Sequence, residues 1–211
     1  MNPVQKIYSK FRHGLVLKWF HDRLMELGIE ITPYYWIKEN ISENVPAGLK
    51  DEDFKEFNLE ELTEKDMPAI TTTEEDRTIT LALLIKKINT PGVVCYALKH
   101  KGQITCFTWY DFKECSDFLR QLPMKANEAY RFDLFTFRPY RGKKLSIYLR
   151  HLSGKALRNK GISCVYSFIE ALNTPAYKSK LNLDVQVLEL HIRFKIFKHF
   201  RRVWLIKKYN R

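Results

Sequence analysis

The residues with the clearest chemical potential are Arg138-Pro-Tyr-Arg-Gly-Lys-Lys144, a basic turn between an aromatic-rich run and a segment of helical periodicity. A helix start presents backbone N–H groups with no intrahelical acceptor, and the helix dipole adds positive potential, so such a turn forms an anion site. Residues 141–146 are the expected phosphate cradle, with Arg138, Arg141, Lys143 and Lys144 adding charge. Upstream, Asp133 stands among Phe132, Leu134 and Phe135, and a carboxylate in such surroundings needs a cationic partner or an open cleft. Metal chemistry has no comparable signal. Cys95, Cys106, Cys115 and Cys164 include no CxxC pair, and the histidines include no HExxH and no pair four residues apart. The cysteines read as reduced and buried, and no metal is expected.

Charge is distributed unevenly. Residues 131–211 carry 19 Lys and Arg against 4 Asp and Glu, whereas residues 1–130 carry 17 against 20. The resulting field attracts an anionic partner to the C-terminal part: a phosphorylated cofactor, an acidic carrier protein, nucleic acid or anionic lipid. Phe194, Phe197, Phe200, Trp204 and Tyr209 lie among basic residues there, as in single-strand nucleic-acid platforms. Period-two alternation assigns most of these aromatics to a core-facing sheet surface, so nucleic acid is not the expected partner. The longest run free of Lys, Arg, Asp and Glu is Ile88 to Leu98, far short of the roughly eighteen apolar residues of a membrane span. The Met-Asn-Pro-Val-Gln-Lys start lacks the apolar segment of a secretory signal, which makes the cytoplasm the expected location.

The elements that must position these residues follow from periodicity and breakers. One domain over 1–211 is expected, with a helical N-terminal elaboration over 1–90 and, over 91–211, a hairpin, a central core and C-terminal strands. Ile7, Phe11, Leu15, Trp19, Leu24 and Leu27 make Lys6 to Leu27 an amphipathic helix with a basic face, stopped by Gly28. Such a face is usually just solvated, and an anionic membrane or carrier protein is its other reading. Ile29 to Lys38 suits an edge strand interrupted at Pro33. In the acidic stretch that follows, Thr63 and Thr73 mark two helix starts, the second leading into Ile79 to Ile88. Val93 to Lys99, Lys101-Gly102 and Ile104 to Phe112 read as a β-hairpin, followed by a polar connection over Ser116 to Asn127. A strand at Ala129 to Phe137 leads into the basic turn. Leu145, Leu149, Leu152 and Ala156 then mark a helix from Lys143 to Lys160, with Lys144, Arg150, Lys155 and Arg158 elsewhere around its circumference and Gly161 at its end. Strands follow at Ile162 to Ile169, through Leu188 to Ile196 and at Val203 to Tyr209. The fold class is α/β (α+β), helices and strands mixed around one sheet.

The segment from Ala129 to Leu183 thus reads strand, Arg-Pro-Tyr-Arg-Gly-Lys-Lys-Leu-Ser, helix, Gly161, strand, Asn173-Thr-Pro-Ala, basic pair, Asn-Leu. This order resembles the GNAT N-acyltransferase superfamily, in which a strand, Arg-x-x-Gly-x-Gly/Ala, a helix, a strand and an Asn-x-x-Ala/Ser motif succeed one another. With the upstream hairpin and N-terminal helices, the resemblance covers about three-quarters of the chain. Counting from Arg141, the two motif glycines are here Lys144 and Ser146, and Asn182-Leu183 stands where Gly-Phe is usual. A side chain at Lys144 either hinders close backbone approach to a pyrophosphate or replaces it with a direct charge contact.

The resemblance implies a mixed, largely antiparallel sheet flanked by helices and acyl transfer from acetyl-CoA or another acyl-CoA to a small-molecule or peptide amine. Its implied donor site takes backbone groups of Phe135, Thr136 and Phe137 for the pantetheine arm. Arg138, Arg141, Gly142, Lys143, Lys144, Leu145 and Ser146 serve the pyrophosphate, and Asn173 the pantetheine amides, with a turn-former as the alternative reading of Asn173. The implied chemistry is direct attack of a neutral amine on the thioester, with a base, an acid and backbone N–H stabilisation of the oxyanion. Glu128 and Asp133 are the candidate bases and Tyr177 the candidate acid. Against these stand a solvated charge for Glu128, an ion pair for Asp133 and packing for Tyr177. An acyl-carrier-protein donor and a non-catalytic GNAT-like binding module are the rival readings.

Overall fold

The structure is a computed structural model that describes residues 23–71, 79–117, 119–171, 185–197 and 200–209. In chain order its elements are β1 (Ile29–Asn40), a 3-10 turn (Asp51–Phe54), β2 (Phe57–Glu61), a second 3-10 turn (Glu64–Asp66), α1 (Met67–Ile70), α2 (Leu81–Ile88), β3 (Val93–His100), β4 (Gln103–Asp111), β5 (Glu114–Asp117), β6 (Arg120–Pro123), β7 (Glu128–Thr136), a third 3-10 turn (Arg138–Tyr140), α3 (Leu145–Asn159), β8 (Cys164–Glu170), β9 (Val185–Ile196) and β10 (Phe200–Lys208). The chain divides into two compact units, one of residues Glu39–Ser167 and one formed from the residues on either side of that range.

In the Glu39–Ser167 unit the strand order is β8-β7-β4-β3-β2. Neighbours are antiparallel except β7 and β8, which are parallel. The β3–β4 hairpin turns on Lys101-Gly102, both at positive φ, the geometry that lets a two-residue loop match strand twist. Alternation along β3 splits the core. Tyr96 and Leu98 face a cluster built around Leu145, Leu149 and Leu157 of α3. Cys95 and Ala97 face a second cluster with Met67, Ile70 and Leu84 of α1 and α2. Both faces of the sheet are therefore covered, which explains why β3 and β4 read as near-continuous apolar runs. All four cysteines are buried and unpaired with one another.

Helix α3 ends as its sequence dictates. Gly161 takes φ +85°, its N–H donates to Arg158, and the Ile162 N–H donates back to Leu157, the double closure of a Schellman motif. Its polar side departs from the sequence expectation. Arg150 is buried, and it shares the Glu39 carboxylate with the equally buried Arg131 of β7, at 2.6 and 2.7 Å. Burial alone would raise the Glu39 carboxyl, but the two guanidiniums hold it down at about 2.

Other expectations shift in register or detail. Thr63 does form a capping box, with Asp66 returning to the Thr63 N–H, but it opens a 3-10 turn and the single turn of α1. Thr80, whose side chain accepts from the Leu83 N–H, caps α2, and the helix start read at Thr73 lies outside the described residues. The polar connection contains the short β5–β6 hairpin, and the acidic Phe57–Glu61 is an edge strand rather than part of a helical stretch.

In the other unit the strand order is β10-β9-β1, with β9 and β10 antiparallel. Strand β1 runs through Pro33 without a break, and the Pro33 carbonyl accepts from Ala171. Trp36 and Ile37 are buried, and the Glu30 carboxylate pairs with Arg193 and Lys195 of β9. The expectation that the C-terminal aromatics are mostly core is corrected here: Phe197, Phe200 and Trp204 are 44–63% exposed. Strand β10 is an edge strand, so alternation orders its side chains into faces without burying them.

Candidate functional site

Strand β7, the basic turn and the start of α3 form one continuous piece. Phe137 is extended, as the residue beyond a strand and two before a proline allows, and Arg138–Tyr140 close a 3-10 turn through Tyr140 N–H to Phe137 O and Arg141 N–H to Arg138 O. Gly142 sits at φ +76°, and Lys144, the N-cap of α3, at +57°. The left-handed backbone is rare for a side-chain-bearing residue and stores about 1 kcal/mol or more. Lys144 thus adopts the conformation that favours glycine at the very position where the resemblance expects one. Its ammonium donates to the Gly48 carbonyl at 2.9 Å.

The first backbone acceptor inside α3 is Lys144 O, which takes the N–H groups of Ile147 and Tyr148. Among the described residues no backbone carbonyl accepts from the N–H groups of Gly142, Lys143, Lys144, Leu145 or Ser146. These donors lie at a helix start, where the dipole reinforces them. A cleft of about 310 Å³ opens beside them, lined by Gly48, Asp53, Phe54 and residues 142–145. The cations are less uniform than the sequence implies. Arg141 donates from Nε to Thr136 O at 2.9 Å and lies 5.6 Å from the Phe135 ring centre, so it ties the turn to the end of β7. Lys143 lies over Tyr140 at 5.5 Å.

Within β7 the pairing with β4 slips. Trp109 faces Phe132 and Phe107 faces Phe135, which leaves Thr108 opposite both Asp133 and Leu134. Asp133 takes φ +52°, so the slip is a β-bulge, a device that re-aims backbone and side chain locally. Lys87, in the last turn of α2, pairs with Asp133 at 2.8 Å and stands about 5 Å from the ring centres of Trp109 and Phe132. On the other side of β7 the parallel ladder with β8 contains Glu128, Ala129 and Tyr130 against Cys164, Val165 and Tyr166. It ends there, although β7 runs on to Thr136.

The structure therefore brings together Asp133, Phe135, Thr136, Phe137, Arg138, Arg141, Gly142, Lys143, Lys144, Leu145 and Ser146 on consecutive elements. Glu128 is placed apart, at the opposite end of β7, roughly 25 Å from Thr136 at strand rise. It is buried and accepts from the Lys125 N–H and the Tyr166 hydroxyl, each at 3.2 Å. Burial, and then the Glu128 carboxylate beside it, push the Tyr166 phenol up to about 12, which keeps it a donor. Asn173 and Tyr177 lie outside the described residues. Lys87, Gly48 and Thr108 have no counterpart in the sequence reading. Only the basic end of α2 hinted at the first. Among the described residues no cluster of three or more His, Cys, Asp and Glu could hold a metal ion.

A bulged strand that leaves its parallel ladder, a basic turn and a donor-rich helix start can be compared with solved structures. A putative GNAT-family acetyltransferase from Novosphingobium aromaticivorans matches 80% of this chain over 66% of its own, at TM-score 0.50 and 17% identity. A GCN5-related N-acetyltransferase from Sphaerobacter thermophilus matches 86% of this chain over 55% of its own, at TM-score 0.56 and 11% identity. The chain has the GNAT fold. A Drosophila protein of the same likeness, TM-score 0.54 and 14% identity, is covered over 58% of its length, so the chain spans between 55% and 66% of these three structures. No protein-family model matches the sequence, and no curated protein matches it.

Proposed function

We propose that this chain is an N-acyltransferase that moves an acetyl or longer acyl group from acyl-CoA to an amine. The observation that carries the reading is the row of N–H groups from Gly142 to Ser146, which has no backbone acceptor among the described residues and follows, across the basic turn, a bulged strand that has left its ladder. Those donors suit a pyrophosphate, and the edge of β7 near Phe135 and Thr136 suits the amides of a pantetheine arm. Because the Lys144 ammonium is held by Gly48, its side chain supports the turn from the protein side, and backbone approach to the anion is the favoured mode. The GNAT fold and the TM-scores support the class of reaction, not the acceptor.

Bound acyl-CoA would supply an activated thioester carbonyl and a thiolate leaving group. In the overall exchange the acceptor nitrogen forms the new C–N bond as the C–S bond breaks, the nitrogen loses a proton and the sulfur gains one. Asp133 is the candidate base nearest the donor end of β7, and its ion pair with Lys87 fixes its position until an amine arrives. Glu128, which accepts from the Tyr166 hydroxyl at the far end of β7, is the alternative base. Asn173 as a pantetheine ligand and Tyr177 as the acid complete the proposal. A cytoplasmic setting, where acyl-CoA is available, belongs to the same reading. No described helix is long and apolar enough to cross a membrane.

Thermal-shift measurement with coenzyme A, free pantetheine and holo acyl carrier protein tests this reading against its rivals. Coenzyme A at a hundred times its dissociation constant should stabilise the fold by about 2.7 kcal/mol. Stabilisation by carrier protein alone would favour a carrier-dependent acyltransferase. Coenzyme A binding without transfer to any amine in a broad panel would leave a binding module.

A further inference from the structure

We infer that the β9–β10 hairpin docks on an anionic lipid surface through the face that carries Phe200, Arg202, Trp204 and Lys207. The antiparallel register sets Phe200 opposite Ile196, Arg202 opposite Phe194, Trp204 opposite Ile192 and Lys207 opposite Leu190, and opposed residues share one face. That face is apolar across both strands and carries two exposed cations. Phe194 contacts the rings of both Phe200 and Trp204, and Arg202 lies over Phe200. The opposite face has another task, since Arg193 and Lys195 turn to Glu30 there.

Strand β10 is exposed along almost its whole length, and it contains no Asp or Glu while carrying Arg201, Arg202, Lys207 and Lys208. Phe197, Phe200, Trp204, Leu205 and Ile206, at 44–63% exposure, form the hairpin end and this edge. Large exposed apolar side chains rimmed by cations mark an interaction surface, and the charge selects an anionic occupant. The aliphatic members narrow it further. Leu190, Ile192 and Ile196, the aliphatic partners on this face, offer no stacking surface to a nucleic-acid base, whereas an acyl-chain boundary takes aliphatic and aromatic groups alike, with Trp favoured at the headgroup level. In one register a second copy is opposed by its own charges. An antiparallel β10 centred on Trp204 and Leu205 would set Arg202 against Lys207 and Arg201 against Lys208, and like charges directly opposite are destabilising.

Sedimentation of the full chain with vesicles tests this, using phosphatidylcholine alone and phosphatidylcholine with phosphatidylglycerol in equal parts. The chain is expected to pellet with the mixed vesicles and to stay largely in solution with the neutral ones. Arg202→Ala and Lys207→Ala should each weaken partition about fivefold, the weight of one cation near such a surface. The double change Phe200→Ser with Trp204→Ser should remove the part of the binding that survives about 1 M salt, where charge is screened. These side chains are exposed, so the thermal midpoints of the variants should match the parent. Trp204 emission should move to shorter wavelength on mixed vesicles. Failure to pellet with mixed vesicles overturns the inference, as does equal pelleting of parent and variants. It is also overturned if the parent binds a random single-stranded oligonucleotide in preference to vesicles, or is a dimer that the double serine change dissolves.

Discussion

Arg141 and Lys144 carry the same charge and sit three residues apart, yet the geometry gives them different tasks. Arg141 reaches back to Thr136 O and stacks toward Phe135, so it joins the end of β7 to the anion turn. Lys144 bears the left-handed backbone and is tethered to Gly48. Arg141→Ala should therefore weaken coenzyme A binding about tenfold or more, the weight of one charge-assisted hydrogen bond, in a calorimetric titration. Lys144→Gly should leave that affinity within about twofold, since glycine adopts this φ without strain. A tenfold loss for Lys144→Gly would mean that the ammonium itself touches the donor. For Asp133, replacement by Asn should lower kcat about a hundredfold or more with donor affinity kept, which is the signature of a lost base. An unchanged kcat would transfer that role to Glu128. The turn before α3 was legible in the sequence because proline, glycine and clustered cations ahead of a helical period mark a helix start. The bulge at Asp133 was not, because a carboxylate at positive φ leaves no mark in the pattern. Nor was Lys87, whose proximity depends on how α2 packs on the sheet.

At the scale of elements, the link from α3 to the sheet passes through a buried charge cluster as well as through Leu145, Leu149 and Leu157. Glu39 accepts from Arg131 of β7 and Arg150 of α3, and its removal would leave two buried guanidiniums without their carboxylate. Glu39→Gln should cost about 3–5 kcal/mol in urea unfolding, because breaking a buried pair strands its charge. The sign of the pH effect follows from a carboxyl held at about 2 against an ordinary 4.5. Its contribution is complete above the ordinary value and is lost as the pH falls toward the depressed one. Stability should accordingly decline between about pH 5 and about pH 2 by on the order of 3 kcal/mol more in the parent than in Glu39→Gln. Equal acid sensitivity in both would contradict the clamp. A binary pattern assigns Arg150 to water, so this cluster was hidden from sequence reading. The β3–β4 hairpin was visible through Lys101-Gly102, as was the stop of α3 at Gly161. Strand β2 was obscured because an edge strand in an acidic stretch, Phe57-Asn-Leu-Glu-Glu, shows too little apolar alternation.

For the whole molecule, the positive field follows the position of its cations in the chain: 19 of them lie after Tyr130, where the anion turn and β10 both lie. Donor association should slow as salt rises from about 0.05 to about 0.5 M, since screening shortens the reach of that field. A salt-independent association rate would show that the turn acts through its backbone alone. The likeness to GNAT structures at 11–17% identity shows that the fold is kept where few particular side chains are. The proposed donor site, by contrast, rests on the N–H groups at the head of α3. The most direct test is to follow backbone amide resonances of the full chain while coenzyme A is added. Gly142, Lys143, Lys144, Leu145 and Ser146 should shift in a saturable way, with Phe135 and Thr136 moving in the same titration. Saturable shifts elsewhere with these amides unmoved would contradict the account.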